Sequence, residues 1–365
     1  MSLAERWGGL NALRTFFSEV LGWSRKNAPE PSQIVTAMLG LAGPVAVGAI
    51  TGHLADGMAA AIGGLALSGV VARETVRQHA LDLIYALLAG AAAVLIGTML
   101  ARNATLTSVG VPVIAMVAGL LSSLGGGVAR AAMQFVLFVI IATGIDMHGA
   151  SPSGVTLLFL LGALWTAGLS LVLAPLFRTL RLDRAAVAAA AVAPSPPQAR
   201  RDRMRRWWKS LAYLKGWQYA LRLTLCLAAA ELAALFWPRS HGYWIALTAA
   251  IVLGYRLPAS PARIVQRAAG TLLGVVLAGA LLVWSPPVWG VVAIIAVLAA
   301  ARPVLKSGNY AAYAIIMTPL VILLLDLGQA PSAATLIDRL AATLTGCAIS
   351  LLLGYFAWLR LIPKS

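Results

Sequence analysis

Twelve stretches of mostly apolar residues, each of roughly the ~20-residue length a membrane-crossing helix requires, follow one another along this chain, separated by short polar breaks. Six fall at about 34–52, 54–72, 81–101, 109–125, 128–147 and 154–177. Six more fall at about 217–237, 241–256, 268–284, 287–302, 309–327 and 335–359. Pro44, Pro112, Pro175 and Pro319 lie inside these stretches. Neighbouring helices satisfy the backbone groups that a membrane-embedded proline frees, so these prolines are compatible with spans. The fold expected is an all-α, polytopic transmembrane bundle of about twelve spans without a large soluble domain.

Two segments break the pattern. In residues 1–33, Leu3, Trp7, Leu10, Phe17 and Leu21 recur at helical spacing with Arg6, Arg14 and Glu19 between them. That predicts an amphipathic helix on the membrane surface, or else a plain cytoplasmic extension. No short apolar stretch with a small-residue cleavage site precedes the first span, so no cleaved signal peptide is expected. Residues 178–216 hold an alanine run, the sequence Ala-Pro-Ser-Pro-Pro at 193–197 and a cluster from Arg200 to Lys209, and read as an exposed basic linker. Trp207, Trp208, Tyr213 and Trp217 after the cluster suit the lipid headgroup level. The expected organisation is therefore 1–33, a first six-helix half at 34–177, the linker at 178–216 and a second half at 217–365.

Composition agrees with the pattern. Hydrophobic residues make up 60% of the chain and charged residues 11%, whereas soluble domains carry about 25% charged residues. The mean hydropathy is +0.86. Disorder is excluded for the same reason, since it needs low hydrophobicity. The net charge of +16 would suggest a nucleic-acid partner in a soluble protein. In a membrane protein it becomes a topological signal instead, with lipid as the partner. With the N-terminus placed in the cytoplasm, 24 of the 28 Lys and Arg residues fall on the cytoplasmic side. Arg102 and Arg239 fall opposite, and Arg222 and Arg339 lie within or at the edge of spans. An even number of spans with both termini cytoplasmic is expected.

The halves share a layout at an offset of about 180–188 residues. Gly-His-Leu-Ala-Asp at 52–56 precedes the second span of one, and Arg-Ser-His-Gly-Tyr-Trp at 239–244 that of the other. The fifth spans end at Asp146 and Asp326. Six spans per half make these parallel repeats about an axis normal to the membrane, and such repeats commonly enclose a site at their interface.

The second half carries the motifs His241-Gly-Tyr-Trp-Ile-Ala-Leu-Thr248, Gln266-Arg-Ala-Ala-Gly-Thr-Leu-Leu-Gly274, Asn309-Tyr-Ala-Ala-Tyr313 and Ile337-Asp-Arg-Leu-Ala-Ala-Thr-Leu-Thr-Gly346, and opens on Ala220-Leu-Arg-Leu-Thr224. As a set these resemble the fusaric acid resistance, or aromatic acid exporter, family of inner-membrane proteins. The likeness covers about 217–355. In the first half the position of the Arg-x-x-Gly-Thr motif is held by His79-Ala-Leu-Asp-Leu-Ile-Tyr85, a departure. The resemblance implies efflux of aromatic carboxylic acids or similar small organic anions, plausibly driven by protons. It also implies a periplasmic adaptor and an outer-membrane channel as partners. A homodimer is expected from the Gly- and Ala-rich helix faces.

Ionisable groups inside spans are costly and mark candidate chemistry. Arg222, early in the seventh span, either snorkels to the headgroups or meets an anion. Glu231 follows nine residues on, too far along one helix for the two to pair. A buried carboxylate there can exchange protons or simply hydrogen bond to another helix. Arg267 is an anion contact or a cytoplasmic anchor beside the Gly270/Gly274 packing face. Arg339 can bind a substrate carboxylate through its planar fork, or pair with Asp326 or Asp146. Asp338 and His241 join Glu231 and Asp326 as candidates for proton coupling. His53 is the positional counterpart of His241. Tyr243 and Trp244 either stack on an aromatic substrate or belong to an interfacial belt. Cys226 and Cys347 lie 121 residues apart in apolar runs, and neither a disulfide framework nor a metal site is indicated. Walker, His-Glu-x-x-His and Gly-x-Ser-x-Gly motifs are lacking in the sequence. No enzyme, cofactor or ATP-driven pump is expected. The alternatives are an organic-anion channel of the same architecture and a non-transporting membrane subunit of an efflux or envelope assembly.

Overall fold

The computed structural model describes residues 18, 22–23, 28–73, 75–145, 151–180, 183, 204–209, 211–237, 241–254, 260–325 and 332–361. The expected amphipathic helix in 1–33 and most of the linker lie outside these residues, as do Asp146 and Asp326. The described residues form no strand, and the chain is an all-α multi-pass membrane protein.

Twelve helices occupy the predicted apolar stretches. In the first half they are α1 (Pro31–Thr51), α2 (Leu54–Leu67), α3 (Val76–Leu100), α4 (Ala104–Ser122), α5 (Gly126–Thr143) and α6 (Pro152–Thr179). The second half holds α7 (Leu214–Leu235), α8 (Tyr243–Val252), α9 (Ser260–Trp284), α10 (Val288–Gly308), α11 (Tyr310–Leu325) and α12 (Ala333–Leu352). A short 3₁₀ turn, Phe356–Leu361, follows. Local chemistry explains several boundaries. Pro31 opens α1, where its missing N–H costs nothing, and Gly52 closes it with φ of 77°, a left-handed conformation open to glycine. Ser151 and Ser332 cap the sixth helix of each half, accepting hydrogen bonds from the Gly154 and Thr335 amides.

Packing repeats between the halves. Within the first half α1 packs on α2 and α6, α2 on α6, α3 on α5 and α6, and α4 on α5. The second half repeats this helix for helix: α7 on α8 and α12, α8 on α12, α9 on α11 and α12, and α10 on α11. The seam between them follows the same rule, with α4 on α7 matched by α10 on α1, and α5 on α8 matched by α11 on α2. Such pairing is what a two-fold relation between like halves produces.

Eight helices are long and apolar enough to cross a membrane on their own, and the four shorter ones are the second and fifth of each half. These short helices meet across the seam. They are wrapped by protein: nine of the ten residues of α8 are buried, as a helix apolar on all sides requires. Glycine permits the closeness. A Cβ on Gly346 would stand 2.7 Å from the Ile245 carbonyl oxygen, and one on Gly162 would strike the Ala60 carbonyl, so the α8–α12 and α2–α6 crossings depend on the same device. We refer to the end of the bundle where the odd-numbered helices begin as the near end, and to the other as the far end.

Candidate functional site

Buried charge is concentrated in the second half, in two layers. At the far end, the turn before α8 delivers His241, the first turn of α8 delivers Tyr243 and Trp244, and the second turn of α12 delivers Asp338 and Arg339. Trp244 and Arg339 are among the largest fully enclosed side chains of the molecule, at 0% and 1% exposure. The Arg339 guanidinium carbon lies 4.7 Å from the centroid of the Trp244 ring, within the range of a favourable cation–π contact. His241 stacks on the same indole at 4.5 Å with an interplanar angle of 22°. Its Nδ1 stands 3.6 Å from Asp338 Oδ2. One unit of four side chains therefore joins α8 to α12 where the Gly346 crossing already holds the helices close.

Trp244 is enclosed by protein, so it is not a lipid-facing belt residue. Its ring is used by Arg339 and His241 instead of lying open, and it fixes where Arg339 sits. Tyr243 reaches the other way. A Cβ on Gly144 would collide with the Tyr243 ring, which places this tyrosine on the seam at the end of α5. The cluster thus lies within the second half and meets the inter-half seam through Tyr243, rather than bridging the two halves evenly. His53, the positional counterpart of His241, behaves differently. It is exposed, with Nδ1 3.6 Å from Asp56 of the next turn.

Glu231 lies on α7 one turn before Ala234, which packs on Gly242. It is buried, and its Oε1 has no hydrogen-bond partner among the described residues. A carboxylate oxygen held away from water without a donor is costly, which sets Glu231 apart from the paired Asp338.

The near-end layer is organised differently. Arg222 does not snorkel: at 1% exposure it turns inward, and its Nε donates to the Gly354 carbonyl at 2.7 Å, tying α7 to the chain just beyond α12. A cation at a helix C-terminus is favoured by the partial negative charge there. Its Nη2 has no partner among the described groups. Replacing Arg222 by alanine removes a charged hydrogen bond to a buried carbonyl, and a cost of about 1.5–3 kcal/mol is expected. Thermal unfolding of the purified protein should therefore show a lowered midpoint in Arg222→Ala, with Arg222→Lys in between.

Arg267 is buried beside Tyr310 of α11, and Arg263 covers the Tyr310 ring at 5.9 Å. Gly270 and Gly274 do form a packing face. A Cβ on either would stand 2.6 Å from a side-chain carbon of α11, from Ala314 and Thr318 respectively. Cys226 and Cys347 are free and buried. Among the described residues no group of His, Cys, Asp and Glu is arranged to hold a metal ion.

Two buried groups escape a reading of the sequence as spans and loops. Arg302, on α10, donates from Nη1 to the Leu65 carbonyl at 3.3 Å and from Nη2 to the Ser68 hydroxyl, crossing the seam to the end of α2. His79 on α3 is buried, with Nε2 2.8 Å from Ser170 Oγ of α6. The motif departure at 79–85 is the one sign of it in the sequence.

Residues 225–353 match the sequence family described as fusaric acid resistance protein-like. Two curated relatives are each 32% identical to part of this chain. One is an uncharacterized membrane protein of Bacillus subtilis, YvaC, 32% identical over 160 residues, which is 43% of this chain and 25% of the relative. The other is an uncharacterized protein of Haemophilus influenzae, 32% identical over 145 residues, 39% of this chain and 20% of the relative. The aligned part thus spans about a quarter or less of the length of these relatives. No solved structure matches the chain. The match takes in α8 to α12 whole, together with Glu231, Trp244, Arg267 and Arg339. Apart from Arg222, the buried charged residues of this multi-pass membrane protein therefore lie on its fusaric acid resistance protein-like segment, the family that the motifs of the second half resemble.

Proposed function

We propose that this protein is an efflux transporter for aromatic carboxylic acids or similar small organic anions, coupled to protons, with the far-end cluster of the second half as its anion-recognition element. The observation that carries the reading is the enclosed Arg339 held over Trp244. An intramembrane cation is retained at considerable cost, and a planar guanidinium fixed by an aromatic face is suited to a carboxylate. Arg339 takes the carboxylate, Trp244 positions Arg339, and Tyr243 stands at the seam where an aromatic ring would pass. Glu231 exchanges the coupled proton, with Asp338 and His241 as the neighbouring titratable pair. Arg267 is the corresponding near-end contact. The side chains are closed to solvent in this conformation, so transport on this reading involves separation of α8 from α12 or from α5. The match to a fusaric acid resistance protein-like family supports efflux as the direction, from a bacterial inner membrane with cytoplasmic termini. A homodimer working with a periplasmic adaptor and an outer-membrane channel is part of the same reading.

Reconstitution into proteoliposomes tests it. Labelled benzoate-type acids should accumulate against their gradient when a proton gradient is imposed, and collapse of that gradient should abolish accumulation. Flux that is indifferent to the proton gradient would make the protein a channel of the same architecture. Absence of organic-acid movement under every gradient would leave the non-transporting assembly subunit.

A further inference from the structure

The near end of the first half contains a polar recess that the far-end chemistry does not use. Its lining includes Ser32, Gln33 and Thr36 from the first turns of α1, Ser68 at the end of α2, and Ser170 of α6, and it is small and partly open. Ser32, Thr36, Ser68 and Ser170 are all at least nine-tenths buried, at 2%, 5%, 8% and 8% exposure. The Ser32 hydroxyl has no hydrogen-bond partner in the described structure. Two of the other hydroxyls are hydrogen-bonded from behind: Ser68 accepts from the Arg302 guanidinium, and Ser170 pairs with His79 Nε2.

One buried cation, Arg302, stands behind this recess. Arg302 is 6% exposed, and its hydrogen-bond partners in the described structure, the Leu65 carbonyl and the Ser68 hydroxyl, are neutral. The C-terminus of α2 supplies only about half a negative charge to it. A buried cation with neutral partners is expensive unless an anion lies near. Arg178, at the end of α6, donates to the Ala174 carbonyl on the recess wall. Arg73 is already matched by Asp82 at 2.6 Å. Asp183 accepts from the Ser32 amide at 3.0 Å and so covers the start of α1, leaving the Ser32 hydroxyl without a partner in the described structure.

We propose that this recess binds a small monovalent anion, a halide or a short carboxylate such as formate. The Ser32, Thr36 and Ser170 hydroxyls surround it, and Arg302, behind Ser68, supplies the balancing charge. The site lies at the near end of the bundle, whereas Arg339 belongs to the far-end cluster. A bound anion here would join α1, α2 and α6 of one half to α10 of the other, at the point where the halves pack.

The test is the thermal midpoint of purified protein, followed by tryptophan fluorescence, as chloride or formate replaces gluconate at constant ionic strength and constant sodium. The midpoint should rise with a saturable dependence on either anion. Ser32→Ala, which removes a hydroxyl that makes no internal bond, should leave the gluconate midpoint unchanged. It should move half-saturation to about fivefold higher anion, the worth of one neutral hydrogen bond. Arg302→Gln should abolish the response, and Arg339→Gln should leave it intact. A midpoint that changes without saturation, an unshifted titration in Ser32→Ala, or saturation by sodium at fixed anion would each overturn the assignment.

Discussion

Arg339→Gln is expected to reduce organic-anion flux in proteoliposomes by about 30-fold or more. A carboxylate that loses a buried charged partner forfeits about 2–5 kcal/mol, and about 2 kcal/mol is already a factor of 30 in binding. Arg339 also contacts Trp244 at 4.7 Å, and that contact is worth about 0.5–2 kcal/mol to the fold. The readout must therefore separate recognition from stability. Arg339→Lys retains the charge and part of the packing but not the planar fork. It should keep a thermal midpoint close to the parent while its apparent affinity for the acid weakens. Trp244→Phe keeps an aromatic face for the guanidinium and should cost only severalfold in flux. Undiminished flux in a well-folded Arg339→Gln would remove the far-end cluster from the transport reading.

The specificity of this expectation comes from the asymmetry of the two halves. Most helix contacts in one half have a counterpart in the other, yet the polar content is not shared. The α2–α6 crossing is closed by Gly162 against the backbone of Ala60 and by Gly63 against that of Phe159. The matching α8–α12 crossing instead carries Trp244, Arg339, Asp338 and His241 at its far end. Both crossings are close-packed, and the second half adds buried charge: at its far end around Arg339 and at its near end at Arg222, Arg267 and Arg302. In the first half Ser32, Ser170 and His79 are buried at the near end.

Much of this was legible in the sequence. Apolar runs located all twelve helices, with ends displaced by up to eight residues, and the offset between Gly-His-Leu-Ala-Asp and Arg-Ser-His-Gly-Tyr-Trp announced the repeat. What hydropathy could not supply was the depth at which a cation at a span edge sits. The tenth apolar run weakens at Arg302, but α10 continues to Gly308. Arg302 is therefore a buried link to α2 rather than a loop residue marking topology. Arg267 is displaced in the same sense, because α9 begins at Ser260, ahead of the apolar run. In both cases the helix extends past the apolar stretch because protein, not lipid, surrounds the charged residue there. Arg222 shows the converse. Its position in the span was evident, but its partner, the Gly354 carbonyl, is 132 residues away, and nothing local in the sequence points to it. Trp244 resembled a belt aromatic because one side of α8 cannot be told from the other when every residue is apolar.

Glu231→Gln is the substitution that isolates coupling from recognition. The amide has nearly the shape of the carboxyl group but cannot take up or release a proton near neutral pH. In this variant downhill movement of the acid should persist while accumulation driven by a proton gradient disappears, so the ratio of uphill to downhill flux should fall by at least about tenfold, the scale of removing the one proton carrier. Stability should move the opposite way from that of an ordinary buried polar partner. Glu231 Oε1 has no donor facing it among the described residues, so Gln relieves the burial of an unsatisfied carboxylate instead of breaking a bond. The thermal midpoint should stay level or rise by about 1–2 °C, the equivalent of about 1 kcal/mol for a chain of this size. If Glu231 were a structural partner of another helix, the midpoint would drop and both fluxes would decline together. If gradient-driven accumulation survived in Glu231→Gln, the coupled proton would have to move through His241 and Asp338, whose 3.6 Å separation makes them the next titratable pair along the same end of the bundle.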